Sequence, residues 1–185
     1  MTKPTDSTLE VRPYEQEDFP AVVGFIAMQK DAEREILPIR RQGGLVAVPY
    51  AHHICSQCTK ADGALFIAAL AKAPIGFIAG WPSEDEDDLL EEEARIHGYV
   101  SDIYVLPNWR RMGVAEKLLA KLEAHFRNLN ITRLRIGGLT KNETATALYQ
   151  NCGFRAHETV FEKQIAMPTH HLVGGSLVQS PKGAN

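Results

Sequence analysis

Two apolar runs, ALFIAALA and PIGFIAGW, lie between residues 64 and 81, separated by Lys72 and Ala73. Their length and unbroken hydrophobicity fit two buried strands joined as a hairpin. Before them, TLEVRPYE reads as a short first strand, and FPAVVGFIAMQKDAEREI has the period of a helix. Asp18 is a candidate cap for that helix, with Pro20 tolerated in its first turn. RRQGGLVAVP is expected to break it, and YAHHICSQCTKAD reads as helical or irregular until Gly63 ends it. After the hairpin, RIHGYVSDIYVLP is a long strand stopped by Pro107. GVAEKLLAKLEAHFRNLN follows as an amphipathic helix, with Val114, Leu118, Leu122, His125 and Leu129 at helical spacing. RLRIGGLT is another strand, NETATALYQNCGF a short helix capped at Asn142 and closed by Gly153, and RAHETVFEKQI a last extended segment.

This order, strand and helices, a hairpin, then strand–helix–strand–helix–strand, implies an α/β (α+β) domain. Its sheet should be mixed and mainly antiparallel, flanked by helices, with one parallel crossover. At 185 residues one domain is the expectation. We read residues 1–7 as a loose N-terminus, 8–166 as the single domain, and 167–185 as a C-terminal tail.

The formal charge is −3, which argues against a nucleic-acid partner, since such partners need a basic footprint. One stretch, EDEDDLLEEE at 84–93, holds eight acids and no base, leaving the rest of the chain with 20 bases against 15 acids. A basic body with one acidic segment suits an anionic co-substrate and a cationic acceptor; the plain alternative is a solvated loop. The opening residues lack the apolar core of a signal peptide, and no apolar run approaches the roughly 20 residues of a membrane span. With three cysteines and no disulfide spacing, a cytoplasmic location without membrane attachment is expected.

Cys55 and Cys58 form one C-x-x-C beside His52 and His53. Structural zinc needs a second ligand pair, and only the distant His170–His171 offers one, so no metal is expected. On a helix the two thiols share an apolar face and pack as small hydrophobes.

VLPNWRRMGVAEKLL, Val105 to Leu119, sets two arginines and a glycine between a strand and a helix start. A helix N-terminus has unpaired N–H groups and partial positive charge, which together receive phosphate. Gly113 lets the main chain approach closely, Ala115 keeps the next turn small, and Arg110 and Arg111 add attraction. The common phosphate loops G-x-x-x-x-G-K-[ST] and G-x-G-x-x-G are absent.

SDIYVLPNWRRMGVAEKLLAKLEAHF followed by RLRIGGLTKNETATALYQNCGF resembles the GNAT superfamily of N-acetyltransferases. The elements that match, in order, are the DIYVLP strand, Arg110-x-x-Gly113-x-Ala115, the long helix, LRIGGL, Asn142 and ALYQNCGF. The resemblance covers roughly residues 95–165. It implies a sheet whose central parallel strands splay apart, and transfer of an acyl group, usually acetyl from acetyl-CoA, to a primary amine by direct attack on the thioester. Backbone N–H groups of Arg111, Met112, Gly113, Val114 and Ala115 would hold the pyrophosphate, with Arg110 beside them. Ile103, Tyr104 and Val105 would line the pantetheine arm, which pairs as an extra strand, and Val105 N–H would face the thioester oxygen. Asn142 and Ala145 would contact the same arm. Tyr149 is the implied acid for the departing thiolate, and Asp102 the first candidate base, ahead of a water chain, His97 and Tyr99; Ser101 is no competent base. Cys152 reads as packing.

Segment 28–60 and the acidic run would lie on the acceptor side. The acceptor is thus a small-molecule or peptide amine, of cationic character if the acidic run attracts it. Alternatives of other classes are a coenzyme-A-binding regulatory module without catalysis and an acyltransferase using a longer acyl-CoA. A homodimer is compatible with the resemblance.

Overall fold

The computed structural model describes residues 9–87 and 89–165. Its strands are β1 (Leu9–Pro13), β2 (Ala64–Leu70), β3 (Ala73–Glu84), β4 (Ile96–Val105) and β5 (Leu134–Ile136), in that order across one sheet. Every neighbour is antiparallel except β4 and β5, which run parallel. The helices are α1 (Phe19–Ile36), α2 (Gly43–Lys60), α3 (Glu92–Arg95), α4 (Val114–Asn128) and α5 (Glu143–Asn151). The expected fold is therefore present: a mixed, mainly antiparallel sheet flanked by helices, with α4 in the one parallel crossover.

Period-two alternation sends strand side chains to opposite faces, and each face has its own core. On one face α1 and α2 bury Val22, Phe25, Ile26, Ala47, Ala51 and Ile54 against Leu65, Ile67, Phe77, Ala79 and Tyr104. On the other, α4 buries Val114, Leu118, Leu119, Leu122 and Phe126 against Phe66, Ala68, Ile78, Val100 and Val105. Phe126 and Leu119, not His125 and Leu129, complete the α4 stripe; Leu129 is 38% exposed.

Other boundaries differ from the sequence reading. The stretch Gly43–Pro49, expected to break helix structure, begins α2 and carries Pro49 within it. Two interactions with α1 fix this start. Asp31 Oδ1 accepts from Gly43 N–H at 2.7 Å, and a Cβ on Gly43 would collide with the Ala27 carbonyl, so only glycine permits this approach. Asp18 makes no side-chain cap to α1. Its buried carboxylate instead takes both ends of the Arg12 guanidinium at 2.7 Å, which holds its pKa below the usual carboxylate value. β5 is only three residues long.

The compact unit ends at Arg155, and Ala156–Asn185 forms a separate unit. Its described part, residues 156–165, has no helix or strand, so the expected last extended segment pairs with no strand among the described residues. Val160, Phe161 and Ile165 in it are exposed. The expected tail lies outside the described residues. No described helix is long and apolar enough to cross a membrane.

The β2–β3 turn is Ala71–Lys72, one residue earlier than the sequence suggested, and both residues have positive φ, 47° and 72°. A two-residue hairpin of this kind favours Asn-Gly, because a Cβ at positive φ costs roughly 1–2 kcal/mol. Replacing Lys72 with Gly should stabilise the protein by about 1 kcal/mol and raise Tm by about 2–4 °C. Differential scanning calorimetry checks this; an unchanged or lower Tm contradicts the assigned turn.

Candidate active site

β4 carries one residue more than β3 can match. Ala79 is opposite Asp102 and Gly80 opposite Val100, so Ser101 is a bulge with no partner on β3. On the other edge, pairing with β5 covers Gly98, Tyr99 and Val100 and then ends. A bulge bends its strand and increases twist, and here it coincides with the parting of β4 from β5. Leu106 N–H donates to Ile75 at 2.9 Å on the β3 side. By strand alternation, the N–H and C=O groups of Ile103 and Val105 then face the edge β5 has left. Val105 C=O is taken by Arg110 Nε at 2.9 Å; Val105 N–H remains.

Just beyond β4, Pro107–Trp109 makes a single 3₁₀ turn, and the chain enters α4 through Arg111 and Gly113, with φ of 58° and 77°. Residues of positive and negative φ in alternation turn successive N–H groups into one concavity, which receives anions. α4 adds its N-terminal N–H groups and dipole. A Cβ on Gly113 would touch nothing, so glycine is required for its φ and not for packing. The Arg110 guanidinium folds back, its centre 5.3 Å from the Tyr104 ring as well as bonded to Val105. Arg111 stays exposed.

On the face covered by α1 and α2, Asp102 is 2% exposed and accepts four hydrogen bonds. The donors are Lys30 Nζ at 2.9 Å, Gln29 Nε2 at 3.1 Å, Tyr50 Oη at 2.9 Å and Ser101 Oγ at 2.5 Å. The bulge makes the last possible, because neighbours in a regular strand point to opposite faces. Lys30 Nζ lies 4.9 Å from the Tyr50 ring centre and 3.4 Å from Glu33, which also receives Arg40 at 2.6 Å. Burial, chiefly, and the charge on Asp102 hold the Tyr50 phenol above its ordinary value.

Tyr149 on α5 belongs to the same neighbourhood. Burial pushes its pKa up to about 12, and the carboxylates of Glu33 and Asp102 add to the shift. Its ring lies 6.0 Å from that of Phe154, and its hydroxyl has no hydrogen-bond partner among the described residues. Asn142 caps α5 by accepting from Ala145 N–H at 3.1 Å, which leaves the side-chain amide N–H groups to donate elsewhere.

Lys30, Gln29, Glu33 and Tyr50 were not found from sequence. Their spacing on α1 and α2 reads as ordinary amphipathic pattern, and only the bulge brings a buried carboxylate beneath them. Cys55 and Cys58 line a cleft of about 490 Å³ with Tyr14 and His125. Burial raises both thiols, Cys58 to about 12, so they behave as packing groups. His170 and His171 lie outside the described residues. The acidic run sits beyond the Ile96 end of β4, roughly 30 Å along the strand from the turn that begins α4.

Residues 35–154 match the model of the acetyltransferase (GNAT) family. The chain belongs to that family. Among solved structures, its fold is similar to the aminoglycoside N-acetyltransferase AAC(6')-Iy in complex with a bisubstrate analogue: TM-score 0.62, 19% identity, over 86% of this chain and 99% of that one. An aminoglycoside 6'-N-acetyltransferase from Acinetobacter haemolyticus gives 0.63 and 19%, over 85% and 99%. A transcriptional regulator from Bacillus halodurans gives 0.65 and 11%, over 85% and 99%. At these identities the neighbours establish the fold alone.

The Lys30–Asp102 pair allows a direct test. Removing one member of a buried pair leaves the other charge uncompensated, at a cost of roughly 3–5 kcal/mol. Lys30→Met should lose that much in chemical denaturation, and Lys30→Met/Asp102→Asn should recover more than half. A single variant as stable as the parent contradicts the pairing.

Proposed function

We propose that the protein transfers an acetyl group from acetyl-CoA to a primary amine by direct attack of the neutral amine on the thioester. One observation carries the reading: an anion-receiving turn at Arg111–Val114 lies next to a β4 edge on which the N–H groups of Ile103 and Val105 have no strand partner. A pyrophosphate suits the first and an amide-bearing pantetheine arm the second. Asn142 has donors left for the same arm.

Bound acetyl-CoA supplies the acyl group already activated as a thioester. The chain's residues position it and move protons. Val105 N–H faces the thioester oxygen and offsets its developing charge. The amine nitrogen bonds to the acyl carbon as the carbon–sulfur bond breaks. Ser101 takes the amine's proton while passing its own to Asp102, so Asp102 holds the proton behind a relay and releases it to solvent by the same route once the product leaves. Tyr149, protonated throughout the neutral range, gives its proton to the sulfur and recovers one from solvent. The aminoglycoside N-acetyltransferases among the fold neighbours support a small-molecule amine as acceptor, and the acidic run at 84–93 supports a cationic one.

Calorimetry with acetyl-CoA and with coenzyme A, followed by thiol release with a panel of amines, tests this. Both thioester and free thiol should bind. Gly113→Ala should weaken them by about tenfold, since alanine at φ 77° costs roughly 1–2 kcal/mol. No heat from folded protein would overturn the reading.

Tyr149→Phe should lower kcat by about 10²–10⁴ while leaving coenzyme affinity nearly unchanged. Because its pKa is about 12, Tyr149 should impose no alkaline loss of kcat below about pH 11. A loss near pH 8 that vanishes in Tyr149→Phe would contradict the assignment.

A further inference from the structure

Four aromatic rings run from the buried carboxylate along the face of the sheet that α1 and α2 leave partly open. Tyr50 donates to Asp102 at 2.9 Å and stacks on His53 at 6.1 Å. His53 meets the edge of Trp81 at 6.2 Å, and Trp81 meets Tyr99 at 5.7 Å. Trp81 and Tyr99 are directly opposite one another on β3 and β4, a close cross-strand pair. Both are half-buried and His53 is exposed, so these three rings lie outside both closed cores, while Tyr50 packs against the α1–α2 core. Large aromatic side chains left partly open beside a reaction centre have area and π faces to offer a ligand.

The surroundings favour a cation. The nearest ring to the carboxylate, Tyr50, already holds one, the ammonium of Lys30 at 4.9 Å. Arg135, paired with Tyr99 in the parallel register, is neutralised by Asp85 at 2.7 Å. β3 continues from Trp81 to Glu84, and Glu84 and Glu86 are exposed, with no ion-pair partner among the described residues. Tyr99 precedes Asp102 by three positions of β4, roughly 10 Å of strand.

We propose that Trp81 and Tyr99, flanked by His53, form an acceptor subsite that binds a second cationic nitrogen about 10 Å from the reacting amine. The acceptor is thus an elongated small molecule with cationic nitrogens at both ends. This rests on the reading of the site as an acetyltransferase centre. The rings attract the distal cation through their faces, and the carboxylates at the end of β3 add a longer-range attraction that salt screens. The acidic run then acts on the far end of the acceptor, and not on the nitrogen that is acetylated.

The test uses α,ω-diaminoalkanes of increasing length, n-alkyl monoamines of matching length, and an amino sugar and a lysine peptide as further arms. With saturating acetyl-CoA, kcat/KM for the best diamine should exceed that of the equal-length monoamine by about tenfold, with an optimum in length. Trp81→Leu should remove most of that preference while leaving monoamine turnover unchanged, and Tyr99→Leu should likewise remove most of it; Trp81→Phe should keep most of it. A preference for the amino sugar or the diamine that depends on Trp81 supports the subsite and identifies its source. A preference for the lysine peptide alone, or a diamine preference that survives both Leu variants, overturns it. Should Trp81→Leu fold poorly, His53→Leu and Tyr99→Leu carry the same comparison. Quenching of Trp81 fluorescence by the diamine, in a Trp109→Phe background, reads the subsite without turnover, and its absence counts against the proposal. Absence of acetyl-CoA binding instead defeats the acetyltransferase reading, so the two failures are distinguishable.

Discussion

β4 has ten residues and β5 has three, and their pairing stops at Val100. The next residue, Ser101, is the one that β3 does not match. One inserted residue therefore affects both edges of the strand at once. Toward β5, the remaining half of β4 keeps unpaired N–H and C=O groups beside the turn at Gly113. Toward the α1–α2 face, the local change of direction puts Ser101 and Asp102 close enough to bond at 2.5 Å. An unpaired edge is usually a liability. Here it is short, and the Arg110 side chain folds onto it and takes the Val105 carbonyl.

The second consequence is electrostatic. Asp102 is a buried carboxylate, and desolvation of such a group is costly unless several donors offset it. Lys30, Gln29, Tyr50 and Ser101 are those donors, drawn from α1, α2 and β4. The network thereby ties the two helices to the strand at the point where the sheet opens. Hydrophobic packing of Phe25, Ile26 and Ile54 sets how far the helices stand from the sheet, but it has no direction of its own. Hydrogen bonds converging on one carboxylate do, and they fix the rotation of α1 and α2 relative to β4.

The sequence was informative where function needs a particular backbone. Gly113 must adopt positive φ, Pro107 must end a strand, and Asn142 must cap a helix; each leaves a residue type that can be read directly. Long periodic segments were equally plain, as in α4. The α1–α2 connection was less so, because Gly43 and Gly44 look like a break until the close approach to Ala27 and the Asp31 bond are seen. The Asp18 cap failed for a related reason: a carboxylate that suits a helix N-terminus found a better partner in Arg12, across the chain from β1. Lys30, Tyr50 and Trp81 could not be found at all, since what distinguishes them is a set of contacts between residues up to 72 positions apart.

This difference separates the two halves of the proposed reaction. A diphosphate and an amide-bearing arm can be bound by main-chain N–H groups, which nearly every residue supplies, so the demands fall on backbone shape. A cationic nitrogen of the acceptor presents only donors and positive charge, and main-chain N–H groups cannot recognise it. It needs carboxylates, hydroxyls and π faces, each of which must be a side chain held in place by its own neighbours. On the proposed function, the donor side is therefore written in a few adjacent positions around Gly113, while the proposed acceptor side is distributed over α1, α2, β3 and β4 and takes its shape only when those elements pack.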